Sequence, residues 1–168
     1  MTSVDELSEF AHLATLTESQ LQALAATGRD VSYPAGRRLI TEGEAAEHCW
    51  LIRSGRVLLD AQVPEQADIA IQTLGPGELL GWSWLVPPYR WQFGACVTEP
   101  VEAIEFDSTA LSRLADADPQ FGLALVLMLF QALLDRLQAT RARLLDLYRN
   151  PLESGRYHAH SDDGSGPR

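Results

Sequence analysis

The sequence has no lysine. All 13 of its basic residues are arginine, set against 23 Asp and Glu, for a formal charge of -10. A chain this acidic repels a phosphate backbone and an anionic bilayer surface alike, so neither nucleic acid nor membrane is expected as a direct partner. Cysteine is nearly absent: Cys49 and Cys96 stand far apart and form no Cys-x-x-Cys, which reads as two reduced thiols rather than a redox pair. Long apolar runs are missing as well. The longest, Leu123 to Phe130, is too short to span a bilayer, and Met1 to Glu6 has neither the basic nor the apolar region of a secretory leader. A cytoplasmic location is therefore expected.

What is present is the composition of a globular protein. The chain has 168 residues, 46% hydrophobic and 21% charged, which suits one domain. Thr17-Glu18-Ser19-Gln20 fits a capping box, and Leu21, Leu24 and Ala25 share one face of the helix that follows. Gly28 is read as its left-handed stop. From Val31 to Asp107 the period changes. Short runs rich in Val, Ile, Leu and aromatics alternate with Gly and Pro, and predict strands over 30–33, 38–41, 48–53, 56–61, 67–74, 92–98 and 101–107. Ser54-Gly55 is read as a two-residue hairpin. Many short strands at this spacing imply a barrel or roll.

Helix returns near Asp107-Ser108, which caps a segment to about Ala117. Asp118-Pro119 then opens a long helix to about Tyr148, about 45 Å in length. Two apolar stripes run along it. Leu123, Val126, Phe130, Leu133, Leu137, Thr140, Leu144 and Leu147 are spaced three and four apart, a coiled-coil seam with one polar member. Leu125, Met128, Leu129 and Ala132 form the second stripe, expected to pack on the roll while the seam meets a second copy. The segment 149–168 is polar and rich in Gly, Ser, Asp and Pro, and is expected to be disordered. His158 and His160 within it are too few ligands for a metal site.

The middle of the chain carries a pattern: Val31-Ser-Tyr33-Pro-Ala-Gly36, Leu39-Ile-Thr-Glu42-Gly43-Glu44, Trp50-Leu-Ile52-Arg-Ser-Gly55-Arg-Val57, Leu74-Gly75-Pro76-Gly77-Glu78-Leu79-Leu80-Gly81, and Glu99-Pro100-Val101-Glu-Ala103. It resembles the cyclic-nucleotide-binding domain of the catabolite-activator (CRP/FNR) type, over roughly residues 10–148. The resemblance implies an α+β fold: a helix-flanked antiparallel β-roll of the double-stranded β-helix or jelly-roll type, followed by a long C-terminal dimerisation helix. It also implies a cytoplasmic regulatory or sensory module without catalytic activity, working through a separate, unidentified effector protein. Members that act as transcription factors continue with a helix-turn-helix. Here only 150–168 follow the long helix, so direct DNA reading is not expected.

In that family the ligand segment is a glycine-rich turn and a one-turn helix whose amides face a cyclic phosphate. Its usual motif is Gly-Glu, a short helix, then Arg-Ser/Thr-Ala. This chain reads Gly81-Trp82-Ser83-Trp84-Leu85-Val86-Pro87-Pro88-Tyr89-Arg90-Trp91-Gln92. Gly81 matches, and Arg90 matches the phosphate arginine in type. Trp82 stands at the glutamate position, Trp91 at the Ser/Thr position and Gln92 at the alanine. On the long helix Thr140 matches the threonine that reaches the base, while Arg141 replaces the neighbouring serine.

The implied ligand-binding set is thus Gly81, Trp82, Ser83, Trp84, Arg90, Trp91, Thr140 and Arg141. Three occupancies follow from it: a cyclic nucleotide such as cAMP, another small anionic or aromatic ligand stacked on an indole, or no ligand, with the rings filling the old cavity and the loop serving as a protein-docking patch. Metal-binding cupin enzymes also use short-strand barrels, but the strands here carry no metal-ligand spacing, so no metal or catalytic residue is expected. Residues 75–98 hold only two charges, Glu78 and Arg90, in an otherwise acidic chain.

Overall fold

The computed structural model describes residues 2–65 and 67–149. The expected tail and its two histidines lie outside the described residues. In chain order the elements are α1 (Val4–Ser8), a 3-10 turn (Ala11–Leu13), α2 (Glu18–Thr27), β1 (Gly28–Tyr33), β2 (Arg38–Ile40), β3 (His48–Ala61), β4 (Ile69–Leu74), β5 (Leu79–Leu80), a 3-10 turn (Ser83–Leu85), β6 (Gly94–Asp107), α3 (Ser108–Ala117) and α4 (Pro119–Arg149).

The helix starts are set locally. Thr17 accepts from the Gln20 amide at 3.3 Å while Gln20 returns to the Thr17 amide at 3.0 Å, closing the capping box. The Asp107 carboxylate accepts from the Ala110 amide at 2.8 Å, and Asp118 accepts from Gln120 and Phe121 at 3.0 and 3.2 Å. Gly28 ends α2 in extended geometry, φ -78° and ψ 143°, rather than the expected left-handed one. It is already the first residue of β1, so the strand, not a C-cap turn, stops the helix.

The six strands form one antiparallel sheet in the order β1-β6-β3-β4, with β2 added to β6 and β5 to β3. The fold is the expected α+β class, a helix-flanked antiparallel roll ending in a long helix. A second local expectation fails. Ser54-Gly55 makes no hairpin; β3 runs through it for 14 residues, paired with β6 on both sides and shifting register there. Gly55 has φ +85°, and a Cβ on it would lie 2.1 Å from the Pro100 carbonyl oxygen. A turn-like dipeptide is thus used as a bulge that bends one long strand. β6 is continuous in the same way across Pro100.

The chain forms two compact units, residues 1–132 and the remainder from Leu133. The core of the first contains Leu7, Ile52, Leu74, Leu80 and Ile104, all essentially inaccessible. Burying each is worth about 1.5–3 kcal/mol. The N-terminal part of α4 adds Phe121, Leu125, Met128 and Leu129 to this core. Its other stripe, Leu123, Val126 and Phe130, stays exposed. In the second unit Leu137, Leu144 and Leu147 are exposed, Leu147 to 75%. By length and composition alone α4 is long and apolar enough to cross a bilayer, a test that packing helices also pass. Its alternating stripes are the pattern of an amphipathic packing helix.

Candidate functional site

The segment after β5 turns at Gly81, where φ is +92° and a Cβ would meet the His48 carbonyl oxygen and the Trp91 ring, both at 3.0 Å. Only glycine serves there. Trp82 leads into the turn Ser83–Leu85, closed by the Leu85 amide on the Trp82 carbonyl at 3.0 Å. Val86, Pro87, Pro88, Tyr89 and Arg90 are exposed, with a cis bond between the prolines. The chain is then fixed against the loop 43–46. The Ala46 amide donates to Tyr89, Trp91 to Glu44, and Gly43 to Trp91, each at 2.9 Å.

The rings face inward. Trp91 is 5% exposed and stacks on Trp50, centroids 6.1 Å apart and planes 29° apart. Phe93 lies 6.2 Å from Trp91 and 4.9 Å from Trp82. Trp84 is buried against Cys49; burial pushes that thiol up to about 12, only partly offset by the indole N–H. The Ser83 hydroxyl is buried and makes no hydrogen bond among the described residues.

Arg90 behaves differently. It is exposed, and its guanidinium donates to the Gly43 carbonyl at 2.8 Å. Gly81, Trp82, Ser83, Trp84, Arg90 and Trp91 are therefore brought together in one segment of the first unit. Thr140 and Arg141 belong to the second unit, exposed on α4, where the Thr140 hydroxyl donates to the Arg136 carbonyl at 2.9 Å.

The sequence reading missed the group next to the stack. Glu105 is a buried carboxylate on β6, paired in register with Arg29 of β1 and Trp50 of β3. It accepts from the Tyr33 hydroxyl at 2.7 Å and from the Trp50 indole N–H at 2.9 Å, and is ion-paired with Arg29. His48 Nε2 stands 4.0 Å away. Burial opposes its charge, but the Tyr33, Trp50 and Arg29 donors together outweigh burial and hold its carboxyl below the ordinary range. Tyr33 is pushed up by burial and by Glu105. One signal was visible: by strand alternation Glu105 falls on the face of Val101 and Ala103, whereas Glu102 falls on the other, and an acid on an apolar face needs partners.

This arrangement lies on an antiparallel β-roll, and the sequence profile of the cyclic nucleotide-binding domain matches residues 30–118. The chain belongs to that family. It is 26% identical over 129 residues to the CRP-like cAMP-activated global transcriptional regulator of Mycobacterium tuberculosis, covering 77% of this chain and 56% of the relative. The chain thus spans little more than half the length of that relative. A candidate cyclic nucleotide-binding protein from Geobacter metallireducens GS-15 superposes with a TM-score of 0.75 at 26% identity, covering 82% of this chain and 99% of that one. A cyclic nucleotide-binding domain from Methylobacillus flagellatus shares the fold with a TM-score of 0.71 at 20% identity, covering 85% and 79%. The chain is a cyclic nucleotide-binding domain related to the CRP regulators.

Proposed function

We propose that this domain is a non-catalytic regulatory module whose ligand segment is closed by its own aromatic side chains, so that it does not take up a cyclic nucleotide as the CRP relatives do. The observation that carries this reading is Trp91, which stands at the position of a small hydroxyl residue in the family motif. Its indole is buried, stacked on Trp50 and packed on Gly81. Trp82 removes the acid that would accept a ribose hydroxyl. Arg90, the match to the phosphate arginine, is exposed and engaged by the Gly43 carbonyl.

Calorimetry with cyclic AMP and cyclic GMP tests this. The expected result is no heat of micromolar binding in the wild type. Micromolar binding that Arg90→Ala abolishes would overturn it. Trp82→Glu combined with Trp91→Ser, which restores the motif, is expected to gain affinity for cyclic AMP.

One observation favours a second reading, a sensor of another small polar ligand: the Ser83 hydroxyl is buried without a partner among the described residues, and such groups normally have one. Native mass spectrometry of the purified protein separates the two readings, because a retained small molecule supports the second.

Output would pass through α4. Its exposed seam, Leu137, Leu144 and Leu147, is spaced for a second copy of this chain. The working unit is a homodimer that signals to a separate effector protein, without direct contact to nucleic acid or membrane.

A further inference from the structure

The ring stack has an anchor outside the family motif. Trp91 rests on Trp50, and the Trp50 indole has one polar handle, its N–H, which donates to Glu105 at 2.9 Å. On the other side Trp91 packs on Gly81, where the ligand segment begins. A continuous line of contacts therefore runs from Glu105 through Trp50 and Trp91 to Gly81. His48 stands at the solvent end of this line. Its ring lies 6.0 Å from the Trp50 ring, its Nε2 is 4.0 Å from Glu105, and its side chain is 37% exposed.

We propose that Glu105 is a positioning residue for the segment 81–91, fixing Trp91 through Trp50. Around Glu105, β1 supplies Arg29 and Tyr33, and β3 supplies His48 and Trp50. On β6 itself Asp107 is the register partner of His48. Cys49, also on β3, stays neutral in its apolar surroundings. Arg29, Tyr33 and Trp50 all donate to Glu105, so the carboxylate is held in place by three partners while it holds the Trp50 ring. The inference rests on the reading of residues 81–91 as the regulated segment.

The test uses the whole chain and no nucleotide, so its failure is distinct from a failure in the calorimeter. Amide hydrogen exchange is followed at Ala46 and Trp91, whose bonds to Tyr89 and Glu44 pin the segment. Glu105→Ala is expected to speed exchange at both amides about tenfold or more, the worth of a hydrogen bond to a charged group. Exchange at Leu21, bonded to Thr17 in α2, should not change. Glu105→Gln keeps an acceptor for Trp50 and so rescues slow exchange. Unchanged exchange in Glu105→Ala, or fast exchange in Glu105→Gln, would overturn the proposal. If Glu105→Ala does not fold, Trp50→Phe, which keeps a ring and loses the N–H, decides it: faster exchange at both amides supports the proposal and unchanged exchange overturns it.

Discussion

The segment 81–93 and the long helix both carry many large apolar side chains, and they place most of them in opposite ways. Around Gly81–Phe93 the indoles and the phenyl ring turn inward: Trp84, Trp91 and Phe93 are buried and Trp82 is half-buried, with Tyr89 the ring left outside. Along α4 the side chains divide. Leu125, Met128 and Leu129 are buried, while Leu123, Phe130, Leu137, Leu144 and Leu147 are all more than half exposed. The first region has satisfied itself within the chain. The second presents a periodic stripe that nothing within the chain covers among the described residues. A cavity-filling ring contributes to folding, whereas an exposed heptad seam contributes only when a partner arrives.

The sharpest break of this contrast is Trp91→Ala. It removes a buried ring with contacts to Trp50 and Phe93, and should cost about 3–5 kcal/mol of folding stability, read by denaturant titration. A loss under 1 kcal/mol would mean the ring is not part of the core. Next comes the seam. Leu137→Asp with Leu144→Asp should turn a dimer into a monomer in sedimentation, while leaving the monomer's own stability within about 0.5 kcal/mol. A dimer that persists would place the interface elsewhere.

Acid separates the two regions more gently. The folded carboxyl of Glu105 lies below its unfolded value, so its stabilising share is complete above the ordinary carboxylate range and is lost as pH falls through the folded value. The roll should therefore lose denaturant resistance on the acid side of that range, and Glu105→Gln should flatten this part of the profile. A variant with an unchanged acid limb would show that Glu105 does not govern it. The smallest effect is expected at a helix end remote from both regions. Thr17→Ala removes the capping box and should cost about 1 kcal/mol, with no change in assembly.

The local features were legible in the sequence. The capping box at Thr17, the caps at Asp107 and Asp118 and both stripes of α4 depend on residues three or four apart, and the structure has them. The roll was legible through its turn glycines. What did not show was anything decided across strands. Ser54-Gly55 has hairpin chemistry, yet its path is set by β6, whose Pro100 carbonyl packs on Gly55. Glu105 meets Trp50 and Tyr33 from 55 and 72 residues away, a closeness that only the register creates. The aromatic content of the segment 81–93 is plain in the sequence, but the inward turn of its indoles and the outward engagement of Arg90 are properties of packing.

Cys49 leads to a practical end. Held fully buried, with its thiol pushed up to about 12, it offers almost no thiolate to an alkylating reagent at neutral pH. The other cysteine, Cys96, is partly accessible on β6, at the register position facing Arg38 and Leu58. A maleimide dye or nitroxide added to the unmodified protein should therefore attach once per chain, at Cys96. Each molecule so labelled carries its own ruler: in an assembly of two, the spectroscopic distance between the paired labels reports the geometry of association without a single engineered residue.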